Sequence, residues 1–167
     1  MADCAQHEAI LTTHSAAETQ CLGARVAAHL RPGDMVRLYG ELGAGKTTFI
    51  QGMAQGLEVE DYVTSPSFTI IHAHEGRFPL YHLDLYRLGP GDLDDIGIEE
   101  VIGSHSVVAV EWAERLPSEL QGDGLEVEMG FTEREEQMRR IRLRGHGERL
   151  AAAVAALAGE LDARAGS

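Results

Sequence analysis

The segment Gly40-Glu41-Leu42-Gly43-Ala44-Gly45-Lys46-Thr47 constrains this chain more than any other, because it fits the phosphate-binding pattern G-x-x-x-x-G-K-[ST] in full. Such a loop works between a strand that delivers it and a helix whose first N–H groups it exposes. Both neighbours are present: Met35-Val36-Arg37-Leu38-Tyr39 alternates like a strand, and Thr48 to Ala54 reads as the start of a helix. Lys46 is the only lysine, and from Arg25 to Arg164 every other Lys/Arg position is arginine. A compact ammonium on a thin stem fits inside a loop that wraps a phosphate, whereas a planar guanidinium is wider and prefers a two-pronged partner. The pattern predicts a nucleoside triphosphate site, with Gly40, Gly43, Ala44, Gly45, Lys46, Thr47 and Thr48 around the phosphates. Lys46 is expected to stay exposed until phosphate arrives.

The 167 residues fit a single α/β domain spanning 1–167, large enough to bury most of its apolar surface. No apolar run approaches the roughly 18 residues of a membrane span. The N-terminus lacks a basic patch followed by an apolar stretch, so no secretory signal is expected. Cys4 and Cys21 have no metal or redox spacing and read as reduced thiols of a cytoplasmic protein. The formal charge of −13 argues against direct binding to tRNA or DNA, since an acidic surface repels the phosphate backbone. A cluster from Arg134 to Arg149 runs against that average. It is either a solvated strand face balanced by Glu133, Glu135 and Glu136, or a docking face for an acidic partner.

Residues 1–14 read as a flexible or strand-like segment. Ser15-Ala16-Ala17-Glu18 forms a capping box, opening a helix to about Leu30. The helix after the phosphate loop is expected to end near Gly56. Phe68–His74 and Phe78–Leu85 suit a hairpin, Asp92–Gly103 looks mainly helical, and Ser106–Val110 is an apolar strand buried on both faces. Leu125–Phe131 and Met138–Leu143 form a second hairpin, followed by a helix over Glu148–Ala163. A hairpin straight after the first strand–helix unit departs from simple doubly wound wiring. The predicted fold is a mixed sheet, with parallel core strands and antiparallel hairpins, flanked by helices.

A phosphate loop works with magnesium, and magnesium takes oxygen ligands. Thr47 supplies a hydroxyl, and Val107-Val108-Ala109-Val110-Glu111 delivers an acid at a strand end, where phosphate-loop enzymes place a metal-binding residue, usually aspartate. Trp112 follows as core packing or a lid near the nucleotide. The run His82-Leu83-Asp84-Leu85-Tyr86-Arg87 alternates, so His82, Asp84 and Tyr86 share one strand face. That face is a structural network or one wall of an active site. Asp84 either positions water or the metal's outer ligands, or caps a nearby loop. His72 and His74 have no third ligand at useful spacing and read as ordinary strand residues. Thr64-Ser65-Pro66-Ser67 is a switch-like segment or a plain turn. With one lysine, the N-K-x-D signature of guanine recognition cannot occur, which shifts the expectation to ATP.

Together these motifs resemble the TsaE family (also called YjeE), bacterial ATPases needed to make threonylcarbamoyladenosine in tRNA. The resemblance rests on Leu38 to Thr48, Ser65-Pro66-Ser67-Phe68, His82 to Arg87 and Val110-Glu111-Trp112. It covers residues 15 to 116, and beyond that matches only in kind. It implies a phosphate-loop ATPase using ATP and Mg2+, with Thr47 and Glu111 on the metal and Lys46, Asp84 and Glu111 as catalytic residues. It further implies weak hydrolysis alone and action with TsaB and TsaD, which modify the adenosine beside the anticodon, so that tRNA is met only through that complex. Ser67 stands where the family usually has threonine. A small-molecule kinase, with the Arg134–Arg149 cluster as its lid, and a nucleotide-gated adaptor without significant hydrolysis are the alternatives.

Overall fold

The structure, a computed structural model, describes residues 5–66, 69–89, 91–103 and 105–166. Ser67 and Phe68, part of the predicted switch-like segment and hairpin, lie outside the described residues. The elements are β1 (Gln6–Thr13), α1 (Ala16–Ala27), β2 (Met35–Tyr39), α2 (Lys46–Gly56), β3 (Ile71–His74), β4 (Leu80–Asp84), α3 (Ile98–Val101), β5 (Val107–Glu111), β6 (Leu125–Phe131), β7 (Arg139–His146) and α4 (Glu148–Ala165). Among the described residues the strands form one seven-stranded sheet in the order β1-β7-β6-β2-β5-β4-β3. Strands β6, β2, β5 and β4 run parallel to one another. β3, β7 and β1 join by antiparallel pairing, so the sheet is mixed, as the hairpin after the first strand–helix unit requires.

The apolar run of β5 explains its place: all five of its residues are buried, which only an interior strand with both faces covered achieves. Val36, Leu38, Ala109, Val127, Ile141 and Leu143 point to one face, where they meet α1, α2 and α4. Met35, Val108 and Val110 point to the other, covered by Leu85, Leu93, Ile98 and Leu116 from the connecting segments. The same parity leaves Arg142 and Arg144 of β7 on the open face. There they pair with Glu8 of β1 and Glu126 and Glu128 of β6, at 2.9 to 3.6 Å. The neighbours expected for these arginines, Glu133, Glu135 and Glu136, lie in the connection before β7. The cross-strand acids are closer because sheet register places them opposite.

Of the N-terminal segment, expected to be flexible or strand-like, Gln6–Thr13 is strand β1, paired with β7 from Gln6↔His146 to Thr13↔Arg139. Two expectations shift. Asp92–Gly103 holds only a 3-10 turn at Asp92–Asp95 and the single turn of α3. Gly97 divides them at φ 69°, a left-handed conformation that no continuing helix contains. Finally, β4 stops at Asp84, so Tyr86 does not share its strand face: the Asp84 carboxylate accepts a hydrogen bond from the Tyr86 N–H at 2.9 Å and turns the chain. The Ser15 cap is formed as expected, accepting from the Glu18 N–H at 3.1 Å.

Helices α1 and α2 approach unusually closely, which sets where α2 can begin. A Cβ on Gly52 would lie 2.0 Å from the Gln20 carbonyl oxygen, and one on Gly23 would lie 2.2 Å from that of Phe49. Neither backbone can yield without moving its helix. We therefore expect Gly52→Val to lower the urea midpoint by the equivalent of about 3 kcal/mol, the scale of overpacking in a filled core. Gly159→Val, in open space on α4, should leave stability unchanged or slightly raised. Equal midpoints for the two variants would show that α1 and α2 separate at little cost.

Candidate functional site

The loop between β2 and α2 takes its shape from three glycines at positive φ: Gly40 at 149°, Gly43 at 82° and Gly45 at 105°. At Gly40 space matters as much as angle, because a Cβ would meet the Met129 carbonyl oxygen at 2.5 Å. Ala44 between them is fully buried and anchors the loop to the core. Gly45 caps α2 without a side-chain hydrogen bond, leaving the first N–H groups of the helix and its positive dipole end for an anion.

Two acids approach the same point from the sheet. β4 and β5 are parallel neighbours, with Asp84 opposite Glu111 at their carboxyl ends, the edge at which open α/β sheets carry ligands. Glu111 Oε1 accepts a hydrogen bond from Thr47 Oγ1 at 2.6 Å, and its Oε2 lies 3.6 Å from Nε2 of the fully buried His82. Asp84 Oδ2 accepts from Ser65 Oγ at 2.8 Å. Burial works to raise the Glu111 carboxyl, but His82, Thr47 and Asp84 outweigh it and hold the group below the ordinary carboxylate range.

Lys46 is not exposed before phosphate arrives, contrary to the sequence expectation: only 5% of its surface meets solvent. Its Nζ donates to the Gly40 carbonyl at 2.5 Å and sits 3.5 Å from the centre of the Trp112 ring. An ammonium without its anion seeks an acceptor and a π face, and the loop and indole provide both. Burial lowers the Lys46 pKa, opposed by Glu111, Glu114 and Asp84. Trp112 is held at φ 59°, with its ring 4.8 Å from that of Tyr86. Tyr86, although off the strand face, lines the same cleft of about 350 Å³ as Lys46, Thr47, Asp84, Glu111 and Trp112.

The structure thus brings Lys46, Thr47, Asp84 and Glu111 into one cleft, with Gly43, Gly45 and Thr48 along its wall. A hydroxyl and an ionised carboxylate in contact form an all-oxygen donor pair suited to a hard cation. Magnesium characteristically takes one or two protein oxygens and completes its shell with water and phosphate. Among the described residues, no group of three or more His, Cys, Asp or Glu side chains stands ready to hold a metal.

One neighbour of the loop escaped the sequence reading. Arg139, at the start of β7, donates from Nε to the Ala44 carbonyl at 3.0 Å and from Nη2 to that of Gly43 at 3.3 Å. Its strand parity was the available signal: it falls with Ile141 and Leu143, on the buried face, where a solvated arginine has no place.

The lowered Glu111 pKa sets a sign for stability against pH. A carboxylate depressed in the folded state stabilises at neutral pH, and that contribution is lost as pH falls through its lowered value. Urea stability should therefore fall more steeply in the native chain than in Glu111→Gln when pH is taken below about 5. Parallel acid limbs would show that burial cancels the contacts made by this carboxylate.

The described geometry has relatives. The family model for threonylcarbamoyl adenosine biosynthesis protein TsaE matches residues 13–141, so the likeness runs past residue 116 and into β7. The tRNA threonylcarbamoyladenosine biosynthesis protein TsaE of Bacillus subtilis (strain 168) is 41% identical over 111 residues, covering 66% of this chain and 70% of its own length. The protein of that name in Streptomyces coelicolor is 42% identical over 146 residues, covering 83% and 98%. The crystal structure of Bacillus subtilis YdiB superposes with a TM-score of 0.79 at 31% identity, over 93% of this chain and 97% of that one. The family match spans the end of β1, the loop and both acid-bearing strands, and on it this chain belongs to the TsaE family.

Proposed function

We propose that this chain is a single phosphate-loop ATPase domain that binds and slowly hydrolyses Mg-ATP in support of tRNA threonylcarbamoyladenosine biosynthesis. The reading rests above all on one observation: Lys46 and Thr47 at the head of α2 and Asp84 and Glu111 at two parallel strand ends line a single cleft. In it the loop N–H groups and Lys46 bind the phosphates, and Lys46 exchanges the Gly40 carbonyl and Trp112 ring for phosphate oxygens. Thr47 and Glu111 would hold magnesium, whose charge would offset that of the terminal phosphates. Asp84, fixed by Ser65 and Tyr86, orients the water that adds to the terminal phosphorus as the bond to the bridging oxygen breaks. His82 keeps Glu111 ionised and in place from beneath.

The partners in this reading are TsaB and TsaD, with tRNA met only through their complex. The chain's acidity supports that division, since a surface with net charge −13 offers little for counterion release on a nucleic acid. Among the described residues no helix is long and apolar enough to cross a membrane. The cytoplasmic placement in this reading rests on the tRNA pathway that the family serves. The kinase alternative loses its lid: Arg139 to Arg144 belong to strand β7, and Arg142 and Arg144 are engaged with acids of adjacent strands.

Two variants and one mixture test this. Lys46→Ala should lower calorimetric Mg-ATP affinity by about tenfold or more, the scale of a lost charge-assisted contact, and should retain the native circular dichroism. Unchanged affinity would sink the phosphate-loop reading. Asp84→Asn keeps an acceptor for the Tyr86 N–H and should bind Mg-ATP normally while phosphate release falls about 100-fold or more, as for a lost water-positioning or base group. Release that persists would confine Asp84 to holding its loop. Phosphate release by the native chain should rise on adding a TsaB–TsaD pair. Indifference to that pair would count against the assigned partners.

A further inference from the structure

Helices α1 and α4 cover the same face of the sheet but leave a gap between them over β1. α1 leans toward α2, which it approaches closely at Gly23 and Gly52, while α4 is anchored to the core through Leu150, Val154 and Leu157. Between them runs a furrow of about 320 Å³, at the small end of the range for ligand cavities. It shares no residue with the cleft of Lys46, Asp84 and Glu111 and plays no part in the proposed handling of ATP. Leu11 of β1 forms its floor, and Leu22 of α1 and Leu161 of α4 form its walls. Leu22 is buried, whereas Leu11 and Leu161 are only partly so. The fold therefore leaves apolar surface here that its own side chains do not cover.

Helix periodicity brings charge to the same place. Leu22 and Arg25 stand three residues apart, as do Leu161 and Arg164, so each wall carries a guanidinium about one turn beyond its leucine. One carboxylate lines the furrow, that of Glu18, and its Oε2 already accepts the His14 N–H at 2.6 Å. Two arginines against one engaged acid reverse the balance of a chain with 14 basic and 27 acidic residues. An apolar floor beside guanidinium groups discriminates by charge. It favours a ligand with an apolar body and an anionic head, and disfavours the same body with a cationic head.

We propose that the furrow between α1 and α4 binds an amphiphilic anion, an acyl chain ending in a carboxylate. The chain lies on Leu11 between Leu22 and Leu161, and the carboxylate faces Arg25 and Arg164. Cys21 lines the same furrow and is exposed, so its thiol reports on occupancy without taking part in it.

The test uses the full native chain with decanoate, decyltrimethylammonium and butyrate, each below its micelle concentration. Binding is read by calorimetry and by the rate at which iodoacetamide alkylates Cys21, with peptide mass mapping to separate it from Cys4. Decanoate should bind saturably and shield Cys21. Decyltrimethylammonium has the same body and the opposite head, and butyrate has the head and little body. Each should bind at least about tenfold more weakly, the scale of a lost charge-assisted contact or of several unburied methylenes. Arg25→Gln should lose about tenfold in decanoate affinity while keeping native circular dichroism and Mg-ATP affinity. Full decanoate affinity in that variant, or equal affinity for the two charged amphiphiles, overturns the proposal by reducing binding to apolar adsorption. Decanoate that binds without shielding Cys21 sits elsewhere and overturns it too. A native chain that sediments as a dimer with Cys21 already shielded, and binds no decanoate, has its furrow covered by a second copy. A monomer that binds none has no such site, and either result overturns the proposal.

Discussion

The contact between Thr47 and Glu111 ties helix α2 to the sheet, and much of the rest follows from the charges gathered around it. Lys46, Asp84 and Glu111 are all nearly withdrawn from solvent, where an unpaired charge would be prohibitively costly. Each has near neighbours that satisfy it: Glu111 has His82 and Thr47, Asp84 has Ser65 and the Tyr86 N–H, and Lys46 has the Gly40 carbonyl and the Trp112 ring. These partners come from separate parts of the chain, so the cluster is satisfied only when α2 and the ends of β4 and β5 are in register. The tight α1–α2 crossing at Gly23 and Gly52 helps hold that position, since α2 has little room to shift along its neighbour.

The two faces of the sheet are stabilised differently. One is packed under α1, α2 and α4 along most of its width, and burial of this kind is the main source of folding free energy. The opposite face of β1, β7 and β6 carries arginines and glutamates in cross-strand pairs. Partly exposed pairs of this sort contribute little to stability, but like charges opposite one another would be unfavourable, so the alternation favours one strand register over others. It also ties Arg142 and Arg144, two members of the basic cluster, to acids of this chain.

Much was legible in advance because it depends on spacing. The phosphate loop, the strand before it, the cap at Ser15, the buried strand ending in Glu111 and the second hairpin are patterns of near neighbours, and each stands where its residues indicated, while the first hairpin narrows to Ile71–His74 and Leu80–Asp84. The failures were also physical. Gly97 broke a helix that composition favoured. Asp84 bent the chain and removed Tyr86 from a face that simple alternation assigned to it. Lys46 was expected in solvent because a sequence does not reveal that a distant indole folds over it.

By itself, the sequence determined that a glycine-rich loop would join a strand to a helix and offer backbone N–H groups to a phosphate, since only φ preferences and local hydrogen bonding are involved. It also determined that Glu111 would end a buried strand and that Asp84 would lie on another. Tertiary structure alone decided that those two strands are parallel neighbours, that their acids meet beneath the loop beside His82, and that Arg139 returns from the last hairpin to brace the loop from the other side. Such meetings depend on strand order and on helix packing against the sheet, which are set by burying the whole apolar surface at once and leave no mark in any short stretch of residues.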